Sequence, residues 1–267
     1  AMYVGIRSTF YRIATIAGQG LLVVLAGELE KRTSTIAMAW SITFYILAGL
    51  FIAFYLYHSY ILPHPSADKP AVGNVTASNI FKEFFATFTS FFKKPQAGVA
   101  ILFMLFYRLP EAQLVKLINP FLLDPIEKGG LGLSTAEVGW VYGTIGIIGL
   151  TLGGIIGGIC AAKGGLQKWL WPMAWSISLT CITFVYLGYF QPQDLLTINI
   201  CVFIEQFGYG FGFTAYMLYL IYYSDGEHKT AHYAICTAFM ALGMMLPGMM
   251  AGWLQEHIGY EKFFIWV

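Results

Sequence analysis

Seven apolar runs, each about 20 residues or longer and separated by short polar turns, restrict this chain to one fold class. They cover about Ser8–Glu28, Thr35–Tyr60, Ile101–Asp124, Thr135–Ala161, Leu166–Tyr189, Thr197–Tyr222 and Ala234–Leu254, and Phe263–Val267 opens an eighth. At a rise of about 1.5 Å per residue, each crosses a hydrocarbon core of about 30 Å. Lipid offers no partner to backbone N–H and C=O groups, so unbroken apolar runs of this length are helices. Charged residues make up 11% of the chain, where soluble domains carry about 25%. The expectation is an all-α integral membrane protein, a bundle of seven full transmembrane helices plus the start of an eighth. Its partner is a lipid bilayer, and a net charge of +1 gives no ground for a nucleic-acid partner. The chain stops inside an apolar run and reads as part of a longer protein.

Function is expected where this apolar pattern is violated. Arg108 and Glu111 lie near the middle of Ile101–Asp124 with Pro110 between them. A charge at the bilayer centre costs roughly 2.5–3.5 kcal/mol on insertion scales and needs a partner or a water-filled cavity. Pro110 removes a backbone donor and predicts a kink beside the charges. A broken, charged helix at mid-membrane suits a transporter's substrate site, while the structural alternative is an ion pair that fastens helices together. Asn119, eleven residues on, is expected to return to the Arg108 side. In the first run, Ser8, Arg12, Thr15 and Gln19 fall at steps of 4, 3 and 4, a polar stripe on an apolar rod. Thr197–Tyr222 carries a further acid, Glu205, followed by Gln206. Tyr209, Tyr216, Tyr219 and Tyr223 recur on one side of that helix and suit sugar or peptide contact, or packing.

Other features argue against cofactor or metal chemistry. Cys160, Cys181, Cys201 and Cys236 stand singly in apolar stretches and read as small buried hydrophobes. The H-x-x-x-H of His228 and His232 lacks the glutamate of a zinc-peptidase helix, and both are expected at the membrane interface. No nucleophile–base pair marks an enzyme. Gly139 to Gly158 give a small-x-x-x-small face for close helix packing, not a nucleotide loop. Ser134 and Glu137 form a capping box ahead of that helix.

Between the runs, LPHPSADKP is a loop, and Asn79–Phe92 places phenylalanines at helical spacing against Lys82 and Glu83. It reads as an amphipathic helix on the membrane surface. The expected organisation is therefore 1–62, the last two helices of one bundle; 63–96, a cytosolic linker with a surface helix; and 97–267, a second bundle. Eight loop cations, among them Lys69, Lys93, Lys94 and Lys163, fall on one side, and Lys31, Arg32, Lys128 and Lys262 fall on the other. The side with the majority is cytosolic.

The spans, the central amphipathic helix and the Gly157–Gly165 turn resemble a major facilitator transporter, although Ala162 stands where that turn's signature usually has Asp. GIRSTFYRIATIAGQG, YRLPEAQLVKLINPFLLD, LSTAEVGWVYG and IEQFGYGFGFTAYMLYL look like the AmpG-type muropeptide permeases. The resemblance implies helices five to twelve of a twelve-helix transporter in the bacterial inner membrane. It further implies proton-driven import of anhydromuropeptides for cell-wall recycling. On that reading Arg12, Thr15, Gln19, Arg108, Asn119, Tyr209 and Tyr216 bind substrate, and Glu111 or Glu205 couples protons. Related permeases carry acetyl-CoA or siderophores, and a membrane receptor or scaffold without transport is the alternative of another class.

Overall fold

A computed structural model describes residues 10–11, 14, 22–33, 35–63 and 77–267. Among them every regular element is helical. Six helical stretches are long and apolar enough to cross a membrane: Ile36–Ile61, Ala97–Leu123, Glu137–Gly164, Leu166–Phe190, Leu195–Tyr223 and Lys229–Trp266. They match six of the seven expected full spans. The run Ser8–Glu28 lies mostly outside the described residues, and with it Arg12, Thr15 and Gln19.

The chain divides into two units. In Phe10–Ile80, helix α1 (Leu22–Thr33) packs on α2 (Ile36–Ile61). Most of α2 is exposed, Tyr45, Phe51, Tyr55 and Tyr60 among its residues, and only Ala39 and Thr43 on it are buried. The unit that holds Phe81–Val267 contains most of α3 (Ala77–Phe92), then α4 (Ala97–Phe106), α5 (Leu109–Leu123), α6 (Thr135–Trp140), α7 (Ile147–Gly164), α8 (Leu166–Leu179), α9 (Ile182–Phe190), α10 (Leu195–Tyr223) and α11 (Lys229–Trp266).

Amphipathic α3 exposes Phe81, Phe84, Phe85 and Phe88 but buries Phe91 completely. That ring packs against Tyr223, His232 and Phe239 at centroid distances of 5.7, 5.6 and 6.2 Å. His232, expected at the membrane interface, lies in the first turn of α11 but is packed under α3. It is 4% exposed, and its Nε2 bonds the Ser90 hydroxyl at 2.9 Å. Lys94 donates to the backbone oxygens of Tyr223 and Asp225 at 2.6 and 2.7 Å. Three types of contact thus fasten the end of α3 to the ends of α10 and α11.

Helix α10 is the axis of this unit, and α7 lies along it. The two backbones meet through glycine: a Cβ on Gly153 would overlap the Phe207 carbonyl, and one on Gly210 would overlap the Leu150 carbonyl. This is the close packing that the small-x-x-x-small pattern predicts. The capping box also forms, with Ser134 accepting from the Glu137 amide and Glu137 from the Ser134 amide.

Four of the described spans lose regular geometry partway along. The first breaks at Tyr107–Arg108, where Pro110 sits in the opening turn of α5 and cannot continue the ladder. Val141–Gly146 winds as a π-helix between α6 and α7. The chain between α8 and α9 turns at Thr180–Cys181, where the Thr180 hydroxyl donates to the Ser176 carbonyl at 2.9 Å, a back-bond that bends helices. In α11 the backbone leaves helical geometry at Gly259 (φ 76°), so the last span runs past the expected end at Leu254 before the chain bends. Beyond the bend, Phe264 packs edge-on to Phe121 at 4.7 Å.

Candidate functional site

Two large apolar clusters, with a smaller third around Met173, fill the Phe81–Val267 unit. One gathers Leu114, Ile118, Phe121, Phe184, Val202 and Phe264; the other gathers Met104, Ile177, Tyr209, Tyr216 and Cys236. On two spans a pair of buried polar residues falls between these clusters. Arg108 and Glu111 separate Met104 from Leu114, and Glu205 and Gln206 separate Val202 from Tyr209. The breaks at Tyr107–Arg108 and Thr180–Cys181 fall in the same interval. The site is a polar layer at mid-depth, where broken helices free backbone groups and lipid cannot reach.

Arg108 occupies the break as the residue before α5 (φ −107°, ψ 16°), so its side chain is set by the kink and not by a helical face. Its Nε donates to Glu111 Oε2 at 3.0 Å, its Nη2 approaches the same oxygen at 2.8 Å, and Nη2 donates to the Tyr209 hydroxyl at 2.9 Å. The guanidinium also lies over the rings of Phe213 and Tyr209, 4.7 and 5.4 Å from their centroids. Arg108 and Glu111 are 7% and 3% exposed. Burial costs each ion several kcal/mol, and the ion pair, the phenol and the aromatic faces together offset it.

Tyr107 and Tyr216 brace this arrangement. Their rings stack at 5.0 Å with 16° between planes. Tyr216 donates to the Met104 carbonyl at 2.6 Å and Tyr107 to the Gly212 carbonyl at 2.9 Å, which ties the break in one span to α10. Tyr216 is completely buried, so in this conformation its ring supports the site and offers no face to a solute.

The second acid is held differently. Glu205 is 2% exposed and accepts from Gln206 Nε2 at 2.8 Å, while Gln206 Nε2 also reaches the Tyr142 hydroxyl at 3.3 Å. Tyr142 belongs to the π-helical turn. No cation among the described residues pairs with Glu205.

Of the expected site residues, Arg108, Glu111, Tyr209 and Glu205 share the polar layer, with Tyr216 bracing it. Asn119 is the exception. It is exposed on α5 and lies eight residues, about 12 Å, beyond Glu111. The expected return to the Arg108 side needs helical geometry at Arg108, whose own backbone (φ −107°, ψ 16°) departs from it. Sequence reasoning missed Tyr107, Phe213 and Tyr142. Tyr107 adjoins Arg108, a signal that was available, whereas nothing in the spacing marks Tyr142, which only the π-turn brings to Gln206. Among the described residues no group of three or more His, Cys, Asp or Glu side chains could hold a metal ion.

Comparison with known proteins adds a family. A family model for the Major Facilitator Superfamily matches residues 1–248. The chain is 30% identical over 188 residues to a Rickettsia typhi protein named "Putative transporter AmpG 2", covering 70% of this chain and 44% of that protein. A Rickettsia prowazekii protein of the same name is 27% identical over 252 residues, 94% of this chain and 58% of its own. The anhydromuropeptide permease of Escherichia coli strain K12 is 23% identical over 265 residues, 96% of this chain and 48% of its own. The chain spans about half the length of the curated relatives it matches.

Proposed function

This chain belongs to the major facilitator superfamily, and from that premise we propose that it is part of a proton-driven permease that imports anhydromuropeptides across the bacterial inner membrane. It is a multi-pass membrane protein. Residues 1–62 would close one bundle, 63–96 would link the bundles, and 97–267 would form the second.

One observation carries the reading: a paired guanidinium and carboxylate at a helix break share a buried layer with a second carboxyl that has no cationic partner among the described residues. A permease for an anionic, sugar-bearing cargo needs a cation that can exchange partners. Arg108 presents a planar fork suited to carboxylates. When a cargo carboxylate takes that fork, Glu111 loses its counter-ion and accepts a proton. When Arg108 returns to Glu111, cargo and proton leave. Glu205 is the alternative carrier of the coupling proton: no cation among the described residues pairs with it, and in this interior the neutral acid costs far less than an uncompensated carboxylate. Tyr209, hydrogen bonded to Arg108, steers the guanidinium between its two partners. The names of the relatives support the cargo class.

Reconstitution of the full-length protein into proteoliposomes tests this. Anhydromuropeptide should accumulate when the outside is acidic, and a protonophore should abolish accumulation. Uptake that ignores the proton gradient would overturn proton coupling, and no uptake of this cargo would overturn the cargo assignment.

A further inference from the structure

The outward face of α5 differs from those of its neighbours. The large exposed side chains are Val99, Leu102 and Phe106 on α4, Ile148, Leu152 and Ile159 on α7, and Trp171, Trp175 and Leu179 on α8. Those surfaces suit lipid. On α5 the exposed positions beyond its first turn are Lys116, Asn119 and Leu123, at i, i+3 and i+7 on one stripe. Lys116 stands seven residues before the end of α5, about 10 Å inside the span. An ammonium and an amide at that level face water or protein, since hydrocarbon would exact several kcal/mol.

The lysine also has a defined bed. Its stem crosses Gly248 of α11, where an added Cβ would stand 3.0 Å from Lys116 Cε and 3.3 Å from Cγ. Arg108, by contrast, is buried and engaged by Glu111 and Tyr209. One broken span therefore carries two intramembrane cations of different character.

We propose that Lys116 and Asn119 form a second anion-binding position on the translocation route, one that takes a carboxylate from the peptide part of the cargo. This rests on the transport reading above. The ammonium supplies charge on a flexible stem that can follow a moving carboxylate, which the rigid guanidinium fork does less well. Asn119, one turn further on, supplies an amide hydrogen. Peptide-bearing cargo carries more carboxylates than the peptide-free disaccharide, so this position should distinguish the two.

Two measurements on the full-length protein test the assignment. In the first, the Lys116→Cys variant in membrane vesicles meets a cationic, water-soluble methanethiosulfonate, with the parent protein as control for its own cysteines. Rapid modification that peptide-bearing cargo slows, and peptide-free disaccharide does not, is the expected result. In the second, Lys116→Met should raise KM for peptide-bearing cargo about tenfold or more, the scale of a lost charged hydrogen bond, and leave KM for the disaccharide nearly unchanged. No modification of the Lys116→Cys variant beyond that of the parent, modification indifferent to cargo, or equal KM changes for both cargoes would overturn the proposal. If the parent protein imports neither cargo, the transport reading itself falls, and labelling of Lys116→Cys still decides whether the stripe faces water.

Discussion

Two nitrogens of Arg108 converge on one oxygen of Glu111, at 3.0 and 2.8 Å, while the second of them also reaches the Tyr209 hydroxyl. The charges lie three positions apart in the chain, but Arg108 lies before the first turn of α5 and Glu111 within it. The pair therefore closes the first turn of α5 immediately beside the break, and a movement of the kink moves it relative to α4.

Arg108→Lys keeps the charge and loses the fork. An ammonium cannot bond Glu111 and Tyr209 with the same planar geometry, so cargo affinity should fall roughly 10- to 100-fold while folding survives. Titration of cargo against purified variant and parent checks this. Equal affinities would leave Arg108 a structural residue only. Arg108→Ala should behave differently: it strands Glu111 without its counter-ion and should cost about 3–5 kcal/mol of stability.

Glu205→Gln keeps shape and hydrogen bonding to Gln206 but cannot release a proton. Cargo exchange between the two sides of a proteoliposome should persist, and accumulation against a gradient should disappear. Normal accumulation by this variant would transfer the coupling role to Glu111 or to a residue outside the described region.

Gly210→Val places a branched side chain where the Leu150 carbonyl stands. Backbone cannot yield as a flexible side chain can, so α7 and α10 must separate. A loss of roughly 1–3 kcal/mol, the usual cost of overpacking, is expected. Thermal unfolding in detergent should show a lower Tm, and Gly139→Ala, which has open space around it, should show almost none of that loss.

Phe91→Ala tests the fastening of α3. The ring is completely buried against Tyr223, His232 and Phe239, so its removal should cost about 3–5 kcal/mol locally. Trypsin should then cut after Lys93 faster than in the parent, since the bond after Lys94 precedes Pro95 and resists it. Unchanged cleavage would mean that the Lys94 bonds and the Ser90–His232 bond hold the helix end without the ring.

The helices, and the residues that violate their apolar pattern, follow from the order of amino acids alone. Apolar length forces a helix in lipid because the backbone has no other partner, and an intramembrane Arg108, Glu111 or Glu205 is visible because each is costly there. Pro110 likewise announced the break, since its effect is local and covalent. Partnership was another matter. That Tyr209 and Phe213 face Arg108, that Tyr142 reaches Gln206, and that His232 is buried under α3 all depend on how separate helices pack. No periodicity along one helix records the rotation of its neighbour. Asn119 shows the limit most plainly: helical arithmetic returned it to Arg108, but Arg108 itself leaves helical geometry at the break, and only the folded chain placed Asn119 with Lys116 on the outer stripe of α5.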